Sequence, residues 1–518
     1  MNGNESMPEG WLSVCVQDLF RMVGGGTPST TVPEYWTGSI PWITSADIDS
    51  EHCLVPRRFI TEQAIRNSAT NKVPAGSAIV ITRVGLGKVA LAPTDLCFSQ
   101  DSQALLFNPS LLNAHYVLHY MGEAVGMFRH ISRGTTISGV TKRQLASLAF
   151  FLPPFAEQGR IVAEIEKQFT RLDAAVAAMK RVRANLKRYW ASVLKAACEG
   201  WLVPTEAELA RKEGRSYESG DKLLARILKE RRAKWEAAQF ARTFSAGTPP
   251  KDDTWKKRYK VPFPPDISSL PPLPEGWTWA SVSQVGEVQL GRQRAPQHHS
   301  GPHMRPYLRV ANVLENRIDV SHVLEMNFTP KEFETYSLCF GDILLNEGQS
   351  LELVGRAAMY RDEIPGACFQ KTLLRFRPAT GVNGKFALFV FLAYLHMKVF
   401  EKISRWTTSM AHLTAERFLL MQFPLPPVAE QDRIVIEVER LTSVSASVQR
   451  SLADHLTRVG HLRQSILKRA FEGKLVSQDR GDEPASVLLE HIRAERSMSK
   501  PVKKMPRTKR SQGVMEVV

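Results

Sequence analysis

The chain has 518 residues and a net charge of +16, with 68 Lys and Arg against 52 Asp and Glu. That length allows three or four domains with real cores, and the basic balance favours a polyanionic partner. Its six cysteines form no CxxC pair, so neither a zinc site nor a disulfide framework is indicated. The opening MNGNESMPEGW has no cationic–apolar leader pattern, and the most apolar run, Phe386 to Leu395, is too short to span a bilayer. A soluble cytoplasmic protein with no membrane partner is expected.

The first segment, 8–151, opens on Pro8-Glu9-Gly10-Trp11 and continues through short strand-like runs separated by glycine turns. Segment 152–203 then reads as one long helix. Pro153 and Pro154 suit a helix start, Glu157 places an acid in the first turn, and Gly200 sits where a left-handed cap belongs. Apolar residues at Ile165, Phe169, Leu172, Val176, Met179, Leu186, Trp190, Val193 and Ala197 follow a loose coiled-coil spacing. Segment 204–273 holds a strongly basic amphipathic helix from Gly220 to Phe240, followed by a Pro-, Lys- and Asp-rich stretch that reads as an extended linker.

The second half repeats this order. Segment 274–424 opens on Pro274-Glu275-Gly276-Trp277. Pro306-Tyr307-Leu308 with Ala311-Asn312-Val313 answers Pro41-Trp42-Ile43 with Ala46-Asp47-Ile48. Gly134-Thr135-Thr136 and Thr407-Thr408 each precede a loop leading to a leucine–proline–proline helix start. Segment 425–476 opens LPPVAEQDRIV, where 152–203 opens LPPFAEQGRIV, and both close on EGxLV. Glu430 against Glu157 and Gly473 against Gly200 give one offset of 273, so nothing is inserted or lost between them. An inserted residue would turn the rest of a helix by about 100°, so the ungapped copy implies a helix whose length matters. The second seam runs through Val438, Leu441, Ser445, Val448, Leu452, His455, Val459, Leu462 and Ile466. Segment 477–518 is a short helix with a basic tail bearing Lys500, Lys503, Lys504, Arg507, Lys509 and Arg510, which reads as disordered.

No catalytic constellation accompanies this order. Leu152-Pro153-Pro154-Phe155 has the outline of an amino-methyltransferase motif, but leucine stands where a polar acceptor is required. Gly85-Leu86-Gly87-Lys88 lacks the preceding glycine and following hydroxyl of a phosphate loop. His298, His299 and His303 are close in sequence but lack acidic or cysteine co-ligands. No catalytic, cofactor or metal residue is therefore assigned.

Two PEGW-led globules, each closed by an LPPxAEQxRIV helix ending in EGxLV, resemble the specificity subunit of type I restriction–modification systems. The match covers nearly the whole chain. The resemblance implies an α/β (α+β) architecture of two target-recognition domains, with the two long helices packed as an antiparallel coiled coil of pseudo-twofold symmetry. It further implies a non-catalytic subunit that reads a bipartite, asymmetric duplex DNA site, the helix pair acting as a ruler for the gap. Expected partners are double-stranded DNA, two methyltransferase (modification) subunits and motor-nuclease (restriction) subunits. Those partners are expected to use S-adenosylmethionine, and ATP with Mg2+ for restriction, while this chain binds no cofactor. A DNA-binding regulator or scaffold of the same fold, acting without methylation partners, is the alternative.

For DNA contact the first globule offers Arg57, Arg58, Lys72, Arg83, Lys88, Arg129 and Arg133. The second offers Arg292, Gln293, Arg294, Arg309, Asn312, Gln349, Arg356 and Lys371. Arginine can bond guanine, and Asn or Gln adenine, through paired hydrogen bonds. Glu157, Gln158, Arg160, Glu430, Gln431 and Arg433 are expected at the helix starts and in subunit docking.

Overall fold

A computed structural model describes residues 7–498, except 50–52, 127–138, 246, 248–249, 251, 269 and 407–409. Arg129, Arg133, the Gly134–Thr136 and Thr407-Thr408 motifs, and the basic tail from residue 499 lie outside the described residues. The chain divides into two compact units, one of residues 1–179 with 454–518 and one of residues 180–453. Among the described residues, no helix is long and apolar enough to cross a membrane.

In the first unit, a four-stranded antiparallel sheet has the order Arg21–Gly24, Ser102–Leu106, Ala78–Ile81, Val89–Leu91. A second sheet has the order Arg58–Ile60, Ile40–Ile43, Leu96–Phe98, Lys72–Val73. The helix Ala114–Gly126 covers the first sheet through Tyr116, Val117, Met121 and Val125, all buried. The run Ala78–Ile81 is buried throughout, as a central strand between two covered faces requires.

The second unit repeats this plan. Its main sheet has the order Gly286–Leu290, Leu373–Pro378, Ile343–Asn346, Ala357–Met359. The apolar run expected to be a buried helix is Gly384–His396, with Phe386 to Ala393 buried. Sequence landmarks coincide in three dimensions. Asp47 accepts from the Thr44 amide at 2.8 Å, and Asn312 accepts from the Arg309 amide at 3.1 Å, each tying down the same short turn.

Each globule is closed where it began. Leu12–Cys15 pairs antiparallel with Ala149–Leu152, and Thr278–Ser281 with Gln422–Leu425. The strand after each PEGW is therefore bonded to the strand that feeds the long helix.

Four helices complete the frame: α1 (Phe155–Glu199), α2 (Gly220–Ser245), α3 (Val428–Phe471) and α4 (Ala485–Met498). α1 has 45 residues and α3 has 44, about 66 Å each at 1.5 Å per residue. Each passes from one unit into the other. Within the first unit α1 and α3 run antiparallel: Arg463 pairs with Asp173 and lies over Phe169 at 4.8 Å, while Phe471 reaches Tyr116 near the start of α1. The second unit packs Val193, Leu194 and Ala197 with Ile434, Val435 and Val438 in one core.

Three seam positions differ from the sequence expectation, the first being Val448, which is 36 % exposed. His455 is exposed and Leu462 is 51 % exposed, while Leu456 and Arg463 turn inward. The seam steps 452, 456, 459, 463, 466, which keeps the 3,4 alternation one position further on. Arg463 fits because its stem packs on Phe169 while its head reaches Asp173. The stretch read as an extended linker makes contacts within its own unit. Trp235 of α2 stacks on Trp255 at 5.9 Å and meets Tyr259 at 5.4 Å, and the Ser281 hydroxyl donates to the Phe263 carbonyl at 2.6 Å.

The cap glycines of the long helices have positive φ, +73° at Gly200 and +67° at Gly473. A Cβ on Gly200 would lie 2.4 Å from Cγ of Pro274, and one on Gly473 would lie 2.3 Å from Cγ of Pro8. Left-handed strain of about 1–2 kcal/mol adds to overpacking of about 1–3 kcal/mol. Gly200→Ala and Gly473→Ala should each destabilise their own unit by roughly 2–5 kcal/mol on those grounds. Urea unfolding followed by unit-resolved hydrogen exchange measures this, and a loss under 0.5 kcal/mol would contradict the packing.

Candidate nucleic-acid interface and the helix junctions

The residues that repeat most faithfully meet at one junction in each unit. In the first unit, the Trp11 indole donates to Glu157 at 3.0 Å. Gln158 accepts from the Asn113 amide at 2.8 Å and donates to the Pro153 carbonyl at 3.1 Å. Arg160 grips Asp482 with two bonds, 3.3 and 2.6 Å. The amide of Ala485, which opens α4, donates to the Gly10 carbonyl at 2.9 Å. PEGW thus touches both the start of α1 and the end of α3.

The second unit builds the same junction. Trp277 donates to Glu430 at 2.7 Å, and Gln431 accepts from the Asn383 amide at 2.7 Å. Arg433 pairs with Glu206 at 2.6 Å, and the Gly220 amide of α2 donates to the Gly276 carbonyl at 2.7 Å. Glu206 in turn holds Arg215 and donates its amide to Glu430 at 2.7 Å. Burial works against the charge on Glu206, yet the Arg215 and Arg433 guanidiniums together bring its pKa down. Burial pushes Glu157 and Glu430 the other way, above the ordinary carboxylate value, against the pull of their indole partners.

Glu157, Gln158, Glu430 and Gln431 are all at most 1 % exposed. Their polar groups are directed into this chain and offer no surface to a partner. Only Arg160 and Arg433 of the six remain partly accessible. Sequence reasoning placed these residues at the helix starts but missed Trp11, Trp277, Glu206 and Asp482. The recurrence of PEGW was the signal for the two tryptophans.

The positions offered for DNA contact divide by burial. Arg57, Arg58 and Arg83 are exposed in the first unit. Arg57 and Arg58 line a groove of about 620 Å³ with Trp36, Phe59 and Thr30, and the Arg58 guanidinium lies 5.9 Å from the Trp36 ring centre. Lys72 stands 3.8 Å from both Glu62 and Asp95. Lys88 is turned inward, donating to the Ser45 and Ile48 carbonyls at 2.9 and 2.5 Å.

In the second unit Gln293, Arg294 and Lys371 are exposed, while Arg309, Gln349 and Arg356 are half-buried. Arg292 is 6 % exposed, pairs with Glu332 at 2.9 Å, bonds the Asn327 carbonyl and lies over Phe328. Asn312 is 2 % exposed and donates to the Asp319 and His322 carbonyls at 2.8 and 3.1 Å. Arg292, Asn312 and Lys88 hold the fold, because their polar atoms are already bonded within their own unit. His298 faces Arg292 and His299 accepts from Arg294. Among the described residues no group of three His, Cys, Asp or Glu side chains is placed to hold a metal.

The family profile of the type I restriction modification DNA specificity domain matches residues 8–188 and again 274–454. The chain belongs to that specificity family. Among its relatives, the EcoKI specificity subunit of Escherichia coli K12 is 22 % identical over 95 % of this chain and 97 % of its own length. The StySPI specificity subunit of Salmonella potsdam is 30 % identical over 37 % of this chain and 44 % of its own. The HsdS subunit of Thermoanaerobacter tengcongensis shares the fold with a TM-score of 0.50 at 17 % identity, covering 91 % of this chain and 99 % of its own. A chain solved in a study of type I R-M assembly and conformational transition gives 0.58 at 16 % identity, over 91 % and 100 %. The specificity subunit described here recognises DNA sequence, and the catalytic steps of such complexes belong to separate subunits. The two profile matches end and resume around residues 189–273, so α2 and its return segment lie outside both.

Proposed function

We propose that the two globules each read one half of a bipartite, asymmetric duplex site, and that α1 and α3 set the gap between the halves. The subunit would direct two methyltransferase subunits, using S-adenosylmethionine, to that site. Restriction subunits using ATP and Mg2+ would act on unmodified copies.

One observation carries the reading: equivalent scaffold positions hold different chemistry. The amide of Gly26 and the amide of Arg292 bond the equivalent carbonyls of Phe98 and Phe369 at 2.9 and 3.1 Å. Likewise Ile81 pairs with Ser102 where Asn346 pairs with Leu373. Two like scaffolds with unlike side chains suit two unlike half-sites. The exposed Arg57, Arg58 and Arg83, with Gln293, Arg294 and Lys371, are the residues we assign to base or phosphate contact. The equal helices suit a spacer, since DNA repeats its groove faces about every 34–36 Å.

Single-molecule methylation sequencing of host DNA, with the gene intact and deleted, tests the proposal. One gapped, asymmetric N6-methyladenine motif should disappear on deletion, and an unchanged methylome would overturn it.

A further inference from the structure

In the second unit three two-residue strands, β1 (Gly348–Gln349), β2 (Arg405–Trp406) and β3 (Ala411–His412), form a small antiparallel sheet with β3 central. Gln349 and Trp406 both stand opposite Ala411, and Gly348 and Arg405 both stand opposite His412. Directly opposed residues share a face, with neighbouring strands about 5 Å apart. One row therefore runs Trp406, Ala411, Gln349 across about 10 Å.

Ala411 is fully buried in the core of the unit, which anchors the sheet through its middle strand. The flanks are in water: Trp406 is 61 % exposed, Met410 38 %, and Leu351, just past Gln349, 37 %. An indole left exposed on a flanking strand forgoes the stabilisation that burial would give it. Arg405 is exposed beside it and has no acidic partner among the described residues. Gly348 keeps the strands close, since a Cβ there would sit 3.2 Å from the His412 ring and 3.3 Å from the Met410 methyl.

The exposed Trp406 indole, the Arg405 guanidinium on the opposite face of the same strand and the half-buried Gln349 amide give this short ribbon groups that match base edges. The amide offers paired donor and acceptor to adenine, the guanidinium bonds guanine or phosphate, and apolar groups contact the thymine methyl. The major groove of B-form DNA admits a two-stranded ribbon. Resting on the reading that the second globule faces one half-site, we infer that this ribbon reads bases there, through Gln349, Arg405 and Trp406.

The test uses the full chain co-expressed with its modification subunits. Methylated motifs are sequenced for the unaltered chain, Gln349→Ala, Trp406→Ala and Trp406→Phe, and binding is measured on a duplex carrying the unaltered motif. Gln349→Ala should relax the base requirement at one position of one half-site and leave the other half-site intact. Trp406→Ala should weaken duplex binding at least tenfold, and Trp406→Phe should retain most of it. Thermal melting of the Trp406 variants should be unchanged, because that side chain lies mainly in solvent, and Gln349→Ala, at a half-buried position, should stay folded. Unaltered motif and affinity in both alanine variants would overturn the inference. So would loss of the modification subunits from Trp406→Ala with the motif intact, which would make the ribbon a protein-docking face. If the unaltered chain itself directs no motif, the underlying reading fails instead.

Discussion

Glu430→Ala is expected to destabilise the second unit by roughly 2–6 kcal/mol, since each buried donor left without a partner costs about 1–3 kcal/mol. Two donors depend on this carboxylate, the Trp277 indole at 2.7 Å and the Glu206 amide at 2.7 Å. The counterpart in the first unit carries a lighter load. Glu157 accepts from Trp11 through one oxygen, and its other oxygen is buried with no hydrogen-bond partner. Glu157→Ala should therefore cost about half as much, roughly 1–3 kcal/mol. Unit-resolved hydrogen exchange under increasing urea separates the two, and equal losses would contradict the accounting. Glu157 also predicts a pH signature. Its folded pKa is raised above the ordinary 4.5, so the native state holds the proton more tightly than the unfolded chain. Its contribution is complete below 4.5 and is lost as pH rises through the folded value. Glu157→Gln should remove that fall, and parallel stability–pH curves would count against it.

The second large effect concerns the long helices. Removing residues 177–183 from α1 and the equivalent 450–456 from α3 shortens each by about 10.5 Å. Seven residues turn a helix to within about 20° of its starting phase, so the seam stays in register. At a 3.4 Å rise the length alone corresponds to about three base pairs. Three base pairs also rotate one half-site by about 100° against the other, which favours a smaller change or distorted DNA. The methylated motif should keep both half-sites and lose one to three base pairs of gap. Deleting three residues from each helix instead shifts the seam and should abolish assembly. A methylated motif with its original gap after the seven-residue deletion would refute the spacer role.

How much of this was legible beforehand depends on the range of the forces involved. Helix length, the repeat order and the shared turn of Asp47 and Asn312 are local, so spacing in the sequence displayed them. Partners separated by hundreds of residues left no such trace: Gly473 against Pro8, Arg160 against Asp482, Arg433 against Glu206. Among charged residues, sequence could not distinguish a cation in water from one spent inside. Arg292 and Arg294 are two apart, yet one is locked between Glu332 and Phe328 and the other is exposed. Seam phase was misjudged by one position because an arginine with a long apolar stem can take a leucine's place. Trp406 carried no pattern at all, and only its exposure on a short strand drew notice.

The chain order of the two units has a consequence for synthesis. When Pro274 and Trp277 leave the ribosome, Gly200 and α2, which they pack against, have already been made. Pro8 and Trp11 instead wait for Gly473 and α4, because the first unit resumes only at residue 454 after ending at 179. At 5–20 residues per second, those roughly 275 residues take about 15–55 s. Throughout that interval Tyr116, Leu152, Ile161 and Ile165 lack the cover later supplied by Ala470, Phe471, Leu488 and Ile492. A nascent first half is thus an open receptor for any matching C-terminal segment, including one from a neighbouring ribosome. Slow translation or crowded polysomes should accordingly raise the share of chains that close on each other.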